Sequence, residues 1–141
     1  WRKAFDQAFF NPPYYDDPAA VRPPRDPGRR LAFVNDGADV ADWIRAGLGL
    51  VRSRGRVTLI HRAERLDAIL AALGGVAGEI RVRPVQPRAA APARRVLVRA
   101  RKGARAPLMI LPPLVLHEQG GGWTPQAAAI LAGDAPLALE A

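Results

Sequence analysis

Near its start the sequence reads Phe5-Asp6-Gln7-Ala8-Phe9-Phe10-Asn11-Pro12-Pro13-Tyr14. The apolar run Ala8-Phe9-Phe10 predicts a buried strand, and the two prolines after it predict that the strand ends in a rigid loop. Because ligands of open α/β sheets bind beyond the carboxyl ends of strands, this loop is a candidate functional site. Proline pairs recur at Pro23-Pro24 and Pro112-Pro113, so the whole tetrad is more informative than the pair.

The composition indicates one globular domain with a polyanionic partner. The 141 residues are 49% hydrophobic, enough for one core, and no apolar run is long enough to cross a bilayer. The absence of cysteine excludes disulfides and thiolate metal sites and favours a cytoplasmic location. The net charge is +8, and all but two of the 21 cationic side chains are Arg, which matches phosphate oxygens well. RNA is therefore a candidate partner, although a GC-rich genome also favours Arg over Lys.

Periodicity predicts an alternation of helices and strands after the first strand. Apolar residues recur at helical spacing from Asp39 to Arg52, where Asp36 or Asp39 would cap the helix and Gly55 would end it. Strands are predicted at 56–61, 79–85 and 94–101, short edge strands at 108–111 and 114–116, and helices at 64–73 and from Thr124-Pro125 to Leu131. In 94–101, Val96 and Val98 alternate with Leu97 and Arg99. This order predicts an α/β fold with a parallel sheet and an antiparallel hairpin at its edge.

The tetrad at the end of an apolar strand resembles the catalytic loop of amino-methyltransferases that use S-adenosylmethionine. Over nearly the whole chain the sequence is similar to the carboxyl-terminal half of the "small" methyltransferase domain family, and within it to bacterial tRNA (adenine-N6)-methyltransferases that modify a valine tRNA. The residues that carry this similarity are Phe5-Asp6, Asn11-Pro12-Pro13-Tyr14, Asp42-Trp43-Ile44, Gly55–Arg62 with Arg65-Leu66, Ala93–Val98 with Lys102-Gly103, His117-Glu118 and Trp123-Thr124-Pro125. The resemblance implies a Rossmann-like methyltransferase sheet.

The resemblance also implies roles for the tetrad. Asn11, Pro12, Pro13 and Tyr14 would be the catalytic residues that hold the target amine, with Asn11 also bordering the cofactor, S-adenosylmethionine. The lone pair of an exocyclic amine is delocalised, and two acceptors on its N–H groups, the Asn11 side-chain oxygen and the Pro12 carbonyl, would hold it in line with the methyl carbon. Tyr14 would stack on a flipped base. The implied substrate is the adenine just 3′ of a tRNA anticodon.

The chain lacks the cofactor loop of such enzymes. No glycine-rich turn precedes the tetrad, and Gly120-Gly121-Gly122 follows apolar edge segments instead of opening a βα turn. Since the chain also begins with Trp1 and not Met, we expect residues 1–141 to be a partial methyltransferase domain. The expected partners are tRNA and an N-terminal cofactor-binding half, without which the chain would not bind S-adenosylmethionine tightly.

Two groups of cations are candidates for binding nucleic acid. Residues 16–30 contain four prolines and mixed charge, which predicts a mobile loop. The candidates are Arg22, Arg25, Arg29 and Arg30 in this loop and Arg94 and Arg95 in the hairpin, where Arg81, Arg83, Arg99, Arg101, Lys102 and Arg105 add further charge. On a shared face they would form a groove for tRNA phosphates; otherwise they are a scattered solvated surface.

Other readings of the sequence remain open. A protein glutamine methyltransferase acting on release factors shares the tetrad, and a carboxamide fits the same acceptors, but the basic charge argues against it. A non-enzymatic, truncated RNA-binding remnant is a third possibility. No metal site is expected, because His61 and His117 have no cysteine or third histidine. His61 and Trp123 are expected to be structural, Trp123 as a packing anchor.

Overall fold

The computed structural model describes residues 4–12 and 39–140. Within these ranges the chain forms β1 (Phe5–Phe10), α1 (Val40–Leu50), β2 (Val51–Arg62), a short 3-10 helix (Ala63–Arg65), α2 (Leu66–Leu73), β3 (Ala77–Arg88), β4 (Arg95–Lys102), β5 (Met109–Ile110), β6 (Leu114–His117) and α3 (Pro125–Ala132). The loop predicted at 16–30 lies outside these ranges. No helix in them is long and apolar enough to span a membrane.

The strands form one sheet in the order β1-β2-β4-β3, and β5 and β6 both pair with β3. β1 and β2 are parallel, β4 is antiparallel to β2 and β3, and β5 and β6 are parallel to β3. The α/β class and the antiparallel hairpin are confirmed. The hairpin is not at the edge of the sheet, because β4 folds back between β2 and β3 and the short strands extend the sheet beyond β3.

Two cores cover the two faces of the sheet. The main core lies between one face and the helices α1 and α2, and its fully buried side chains include Ile44, Val57, Leu59, Ile69, Leu73 and Val98. A smaller core on the other face joins β3 and β4 to the end of the chain through Val85, Leu97, Leu111 and Leu139. The alternation predicted for β4 is confirmed, since Val96 and Val98 belong to the main core and Leu97 to the smaller one.

Helix α1 begins with a capping box at Asp39. The Asp39 carboxylate accepts hydrogen bonds from the backbone N–H groups of Ala41 and Asp42, and the Asp42 carboxylate accepts one from the Asp39 N–H. This arrangement satisfies backbone donors that no earlier turn could satisfy. Of the two predicted caps, Asp39 is therefore the one used.

The predicted end of α1 at Gly55 is wrong. The helix ends at Leu50, and β2 begins at once with Val51. Gly55 lies in an irregular part of β2, where β1 residues Phe5 and Gln7 pair with Val51 and Arg56. A Cβ on Gly55 would lie 2.9 Å from the carbonyl oxygen of Arg52, so this glycine is required by a close approach of the backbone within the strand and not by a helix end.

Proline explains why two separate short strands pair with β3. The Val82 carbonyl accepts a hydrogen bond from the Leu111 N–H, so Pro84, two residues further on, faces the same side. Proline has no N–H to donate there, and the pairing stops after Ile110 and resumes at Leu114. The predicted short strands are thus confirmed. The gap between them lies where Pro84 of β3 has no N–H group to donate.

Candidate active site at the carboxyl edge of the sheet

Asn11 and Pro12 follow the last residue of β1 at the carboxyl edge of the sheet. Phe10, the last strand residue, pairs with Leu59 of β2. The Asn11 side chain is exposed, whereas Pro12 is completely buried. The end of the strand therefore places the Asn11 side-chain amide at the surface, while Pro12 is packed in the interior. Pro13 and Tyr14 lie outside the described residues.

Helix α1 fixes the position of this strand end. The Phe10 ring packs so closely against α1 that a Cβ on Gly47 would lie 2.6 Å from the ring carbon Cε1. On the same helix Trp43 stacks on Phe10, with the ring centroids 6.4 Å apart. Because only glycine leaves room for the ring, the sequence of α1 controls where Asn11 emerges.

Arg94 and Arg95 lie at the same edge as Asn11. Arg95 is the first residue of β4 and pairs with Arg62, the last residue of β2, and Arg94 precedes it. The three arginines line a cavity of about 330 Å³ together with Ala63, Glu64 and Ala93. Glu64 pairs with Arg62, their Oε1 and Nη1 atoms 3.0 Å apart, whereas no acidic side chain in the described ranges pairs with Arg94. Among the described residues that line the cavity, three are cationic and one is acidic. Arg22, Arg25, Arg29 and Arg30 lie outside the described residues.

Several other cations of the hairpin are held by the fold. Arg99 donates to the Leu139 carbonyl over 2.7 Å and to Glu140 over 2.6 Å. Arg83 is buried and donates to the Pro112 carbonyl over 3.2 Å. Lys102 donates to the carbonyls of Leu48 and Val51, the latter over 3.0 Å. These side chains connect β3 and β4 to neighbouring segments, so part of their hydrogen-bonding capacity is used within the chain.

Cations of the hairpin lower the pKa values of two neighbouring carboxyl groups. Arg101 pairs with Glu79 over 2.6 Å, and its hydrogen bond lowers the pKa of the Glu79 carboxyl below the ordinary value. A hydrogen bond from Arg99 likewise lowers the pKa of Glu140. Both carboxylates therefore remain ionised at neutral pH and balance charge away from the carboxyl edge.

His61 is buried at the carboxyl end of β2. Only 3% of its surface is exposed, and the alternation of the strand places it on the same face as Val57 and Leu59. This burial agrees with a structural role and not with direct contact to a substrate.

Trp123 differs from its expected role as a packing anchor, because half of its surface, 51%, is exposed. It forms a β-bridge with His117, and the two rings stack with their centroids 4.5 Å apart. Three glycines between them allow the tight turn that brings the rings together, with Gly121 and Gly122 at positive φ. Two rings on either side of a glycine run are the sequence signal that would have identified this surface.

A solved structure is similar to this chain over most of its length. It is the crystal structure of a predicted O-methyltransferase from Agrobacterium tumefaciens, 30% identical, with a TM-score of 0.73 over 95% of this chain. The chain has a methyltransferase fold. It spans about half of that protein, 54% of its length. No protein-family profile matches the chain, and no curated protein matches it.

One edge of the sheet is open in the described residues. β1 is the edge strand, and within the described ranges only β2 pairs with it. Phe5 and Phe9 on this strand are 42% and 69% exposed. An apolar cavity of about 380 Å³ lies beside β1 and is lined by Phe9, Phe10, Trp43 and Leu50 among others. Exposed apolar side chains on an open strand edge are typical of a surface that another segment covers.

Proposed function

We propose that this chain is the substrate-binding half of an S-adenosylmethionine-dependent methyltransferase that acts on the N6 amine of an adenine in tRNA. One observation carries the proposal. The Asn11 side chain emerges at the carboxyl edge of a methyltransferase fold, at the same edge as the basic cavity of Arg62, Arg94 and Arg95. An amide that accepts N–H groups therefore lies near cations that attract phosphate.

The reaction needs little from the protein beyond position. S-adenosylmethionine, when bound, supplies an electrophilic methyl group. The Asn11 side-chain oxygen and the Pro12 carbonyl accept the two N–H groups of the amine and direct its lone pair at the methyl carbon. Pro12 is buried, its ring fixes φ, and the proline that follows it in the sequence restricts its ψ, so few directions are open to the carbonyl. After transfer the nitrogen loses a proton to water, and no side chain with a shifted pKa is required.

The pair of acceptors favours an amine over a hydroxyl substrate. A hydroxyl group has one proton and would leave one of the two acceptors without a partner. The similar structure is described as a predicted O-methyltransferase, so a hydroxyl substrate is the principal competitor for this chain.

The cofactor site requires more than the described residues supply. Asn11, at the end of β1, would lie beside the cofactor, and the open side of β1 would pair with a strand of the cofactor-binding half. Phe5 and Phe9 would then be covered. We expect the 141-residue chain alone to show no micromolar affinity for S-adenosylmethionine in titration calorimetry. Measurable micromolar binding would contradict the proposal that a separate half of the protein binds the cofactor.

The decisive experiment is methyl transfer from labelled S-adenosylmethionine. The chain alone and the chain extended upstream of Trp1 are each incubated with unmodified tRNA, and the tRNA is digested to nucleosides. Label on N6-methyladenosine from the extended chain supports the proposal. Label on a ribose hydroxyl would point to O-methylation, label on release factors would point to a glutamine substrate, and no transfer to any of them would leave a non-enzymatic RNA-binding role.

A further inference from the structure

An apolar cavity lies behind Trp123, on the face of the sheet opposite α1 and α2. It measures about 350 Å³, within the usual range for small-molecule sites. Its walls come from β2, β3, β4, β6 and α3, and its apolar lining includes Ile60, Leu97, Leu116, Ile130 and Leu137. Of the described residues that line it, Arg95 alone is charged.

The aromatic rim of this cavity is held rigidly. The Thr124 N–H donates to the Leu116 carbonyl over 2.9 Å, and the Thr124 hydroxyl donates to the Val115 carbonyl over 2.7 Å. On the other side of the turn, His117 Nδ1 donates to the Gly122 carbonyl over 3.2 Å. These hydrogen bonds hold the residues on both sides of Trp123, and its ring stacks on His117. A rigid, half-exposed indole binds a flat ring with little loss of side-chain entropy.

Arg95 also lines the basic cavity described above, so the two cavities share one wall. One side of this wall is apolar and aromatic, and the other carries the guanidinium groups of Arg62 and Arg94, with Glu64 compensating part of the charge. A nucleotide has the same two parts, a flat base and an anionic phosphate. Single-stranded nucleic acids are commonly bound by such a combination of stacking and cationic groups.

We propose that the cavity behind Trp123 binds a base of single-stranded RNA, whose phosphate lies against Arg94 and Arg95. The inference rests on the proposed RNA substrate and adds a second nucleotide to it. Trp123 pairs with His117 of β6, which lies four strands from β1 in the sheet, about 19 Å, so this base is a few nucleotides from the target adenine and not the target itself. The subsite would select an unpaired loop, because a base inside a duplex could not reach the indole.

The test is the affinity of the full chain for a short, fluorescently labelled single-stranded RNA, measured by anisotropy. Trp123→Leu removes the ring and keeps apolar bulk, and we expect it to weaken binding roughly tenfold. Trp123→Phe keeps a ring and should retain most of the affinity. Arg94→Gln should reduce the slope of log affinity against log salt by about 0.7, the value for one phosphate contact on a single strand. Arg45→Gln is the matched control, because Arg45 is an exposed arginine on α1 that pairs with Asp42.

The outcomes separate this inference from the proposed function. If Trp123→Leu binds the RNA as tightly as the parent chain, the base subsite is wrong while an RNA methyltransferase remains possible. If the parent chain has no measurable affinity for RNA, the subsite is also wrong, and the methyl-transfer assay decides between protein substrates and none. Photocrosslinking of thiouridine-labelled RNA gives an independent readout: a crosslink in residues 117–131 supports the subsite even if Trp123→Leu is unstable, and crosslinks confined to other segments contradict it.

Discussion

At the scale of single residues, Asn11 has the clearest chemical role. It is exposed directly beyond a strand whose last ring is locked against α1. A side chain in that position can touch a substrate, so its substitution should affect activity more than folding.

We predict that Asn11→Ala lowers methyl transfer about a hundredfold, because the amine loses one of two acceptors that orient it. The loss should appear in kcat, with KM for tRNA nearly unchanged. The measurement is steady-state transfer of labelled methyl by the extended chain. Gln126→Ala is the control, since Gln126 is an exposed amide on α3 and not beside β1; an equal loss in both variants would contradict a specific role for Asn11.

The Glu79–Arg101 pair should make stability depend on pH. The folded-state pKa of Glu79 is lowered, so the pair stabilises the fold above the ordinary pKa of glutamate, and this stabilisation is lost as the pH falls through the lowered value. We predict that Glu79→Gln lowers the free energy of unfolding by about 1 kcal/mol at neutral pH. Urea titrations at neutral and strongly acidic pH measure this; a difference that persists at acidic pH would show another cause.

At the scale of elements, α1 determines where β1 ends. Gly47 and Gly49 lie two residues apart on this helix, yet an added Cβ would meet the Phe10 ring at 2.6 Å in one case and nothing within 4 Å in the other. The two positions therefore give opposite predictions for the same substitution.

We predict that Gly47→Ala destabilises the chain by about 1–3 kcal/mol through overpacking and reduces methyl transfer, because Phe10 moves and carries Asn11 with it. Gly49→Ala should instead stabilise the helix by about 0.5–1 kcal/mol with no effect on transfer. Urea denaturation of the two variants makes the comparison. Equal stabilities would mean that the ring can move without cost.

Local patterns predicted most of the elements, and the failures have a physical reason. The tetrad located Asn11 and Pro12, and the pair Thr124-Pro125 predicted the start of α3, where the Thr124 hydroxyl accepts from the Ala127 N–H. The first residues of β2 were missed because Arg52, Arg54 and Gly55 do not alternate like a strand. They lie in an irregularity between Val51 and Arg56, the residues that pair with β1, and Arg54 has a positive φ of 66°.

The pairing of strands that are distant in sequence could not be predicted from local patterns. The position of β4 between β2 and β3 depends on contacts such as Leu59 with Val98, which no local periodicity encodes. The half-exposed state of Trp123 escaped prediction for the same reason, since its ring depends on the turn that brings His117 beneath it.

At the scale of the whole molecule, the positive charge is divided between two ends of the sheet. Cations near the amino end of β3, such as Arg101 and Lys102, bind carboxylates or carbonyls of the chain. Those at the carboxyl edge, such as Arg94, adjoin a cavity. Among the described residues, the cations beside a cavity thus lie at the edge where Asn11 lies.

The open side of β1 gives a prediction about the complete domain. Phe9 is largely exposed in this chain, so Phe9→Asp should change its stability by less than about 0.5 kcal/mol. In the chain extended upstream, where we propose that a strand and helix cover β1, the same substitution should destabilise by about 2–4 kcal/mol or abolish cofactor binding. Thermal unfolding of both forms is the measurement; equal effects in the two would mean that Phe9 stays exposed.

The insertion of β4 between β2 and β3 also affects how the protein is made. On the ribosome β2 emerges well before its partner, because Leu59 pairs with Val98. At about 5–20 residues per second the nascent chain waits a few seconds with one side of β2 open. During that interval the backbone N–H and C=O groups on one side of β2 have no partner strand, and another nascent chain can pair with them. Slowing translation after β2 would therefore promote aggregation of this protein. Slowing it after β4 would not.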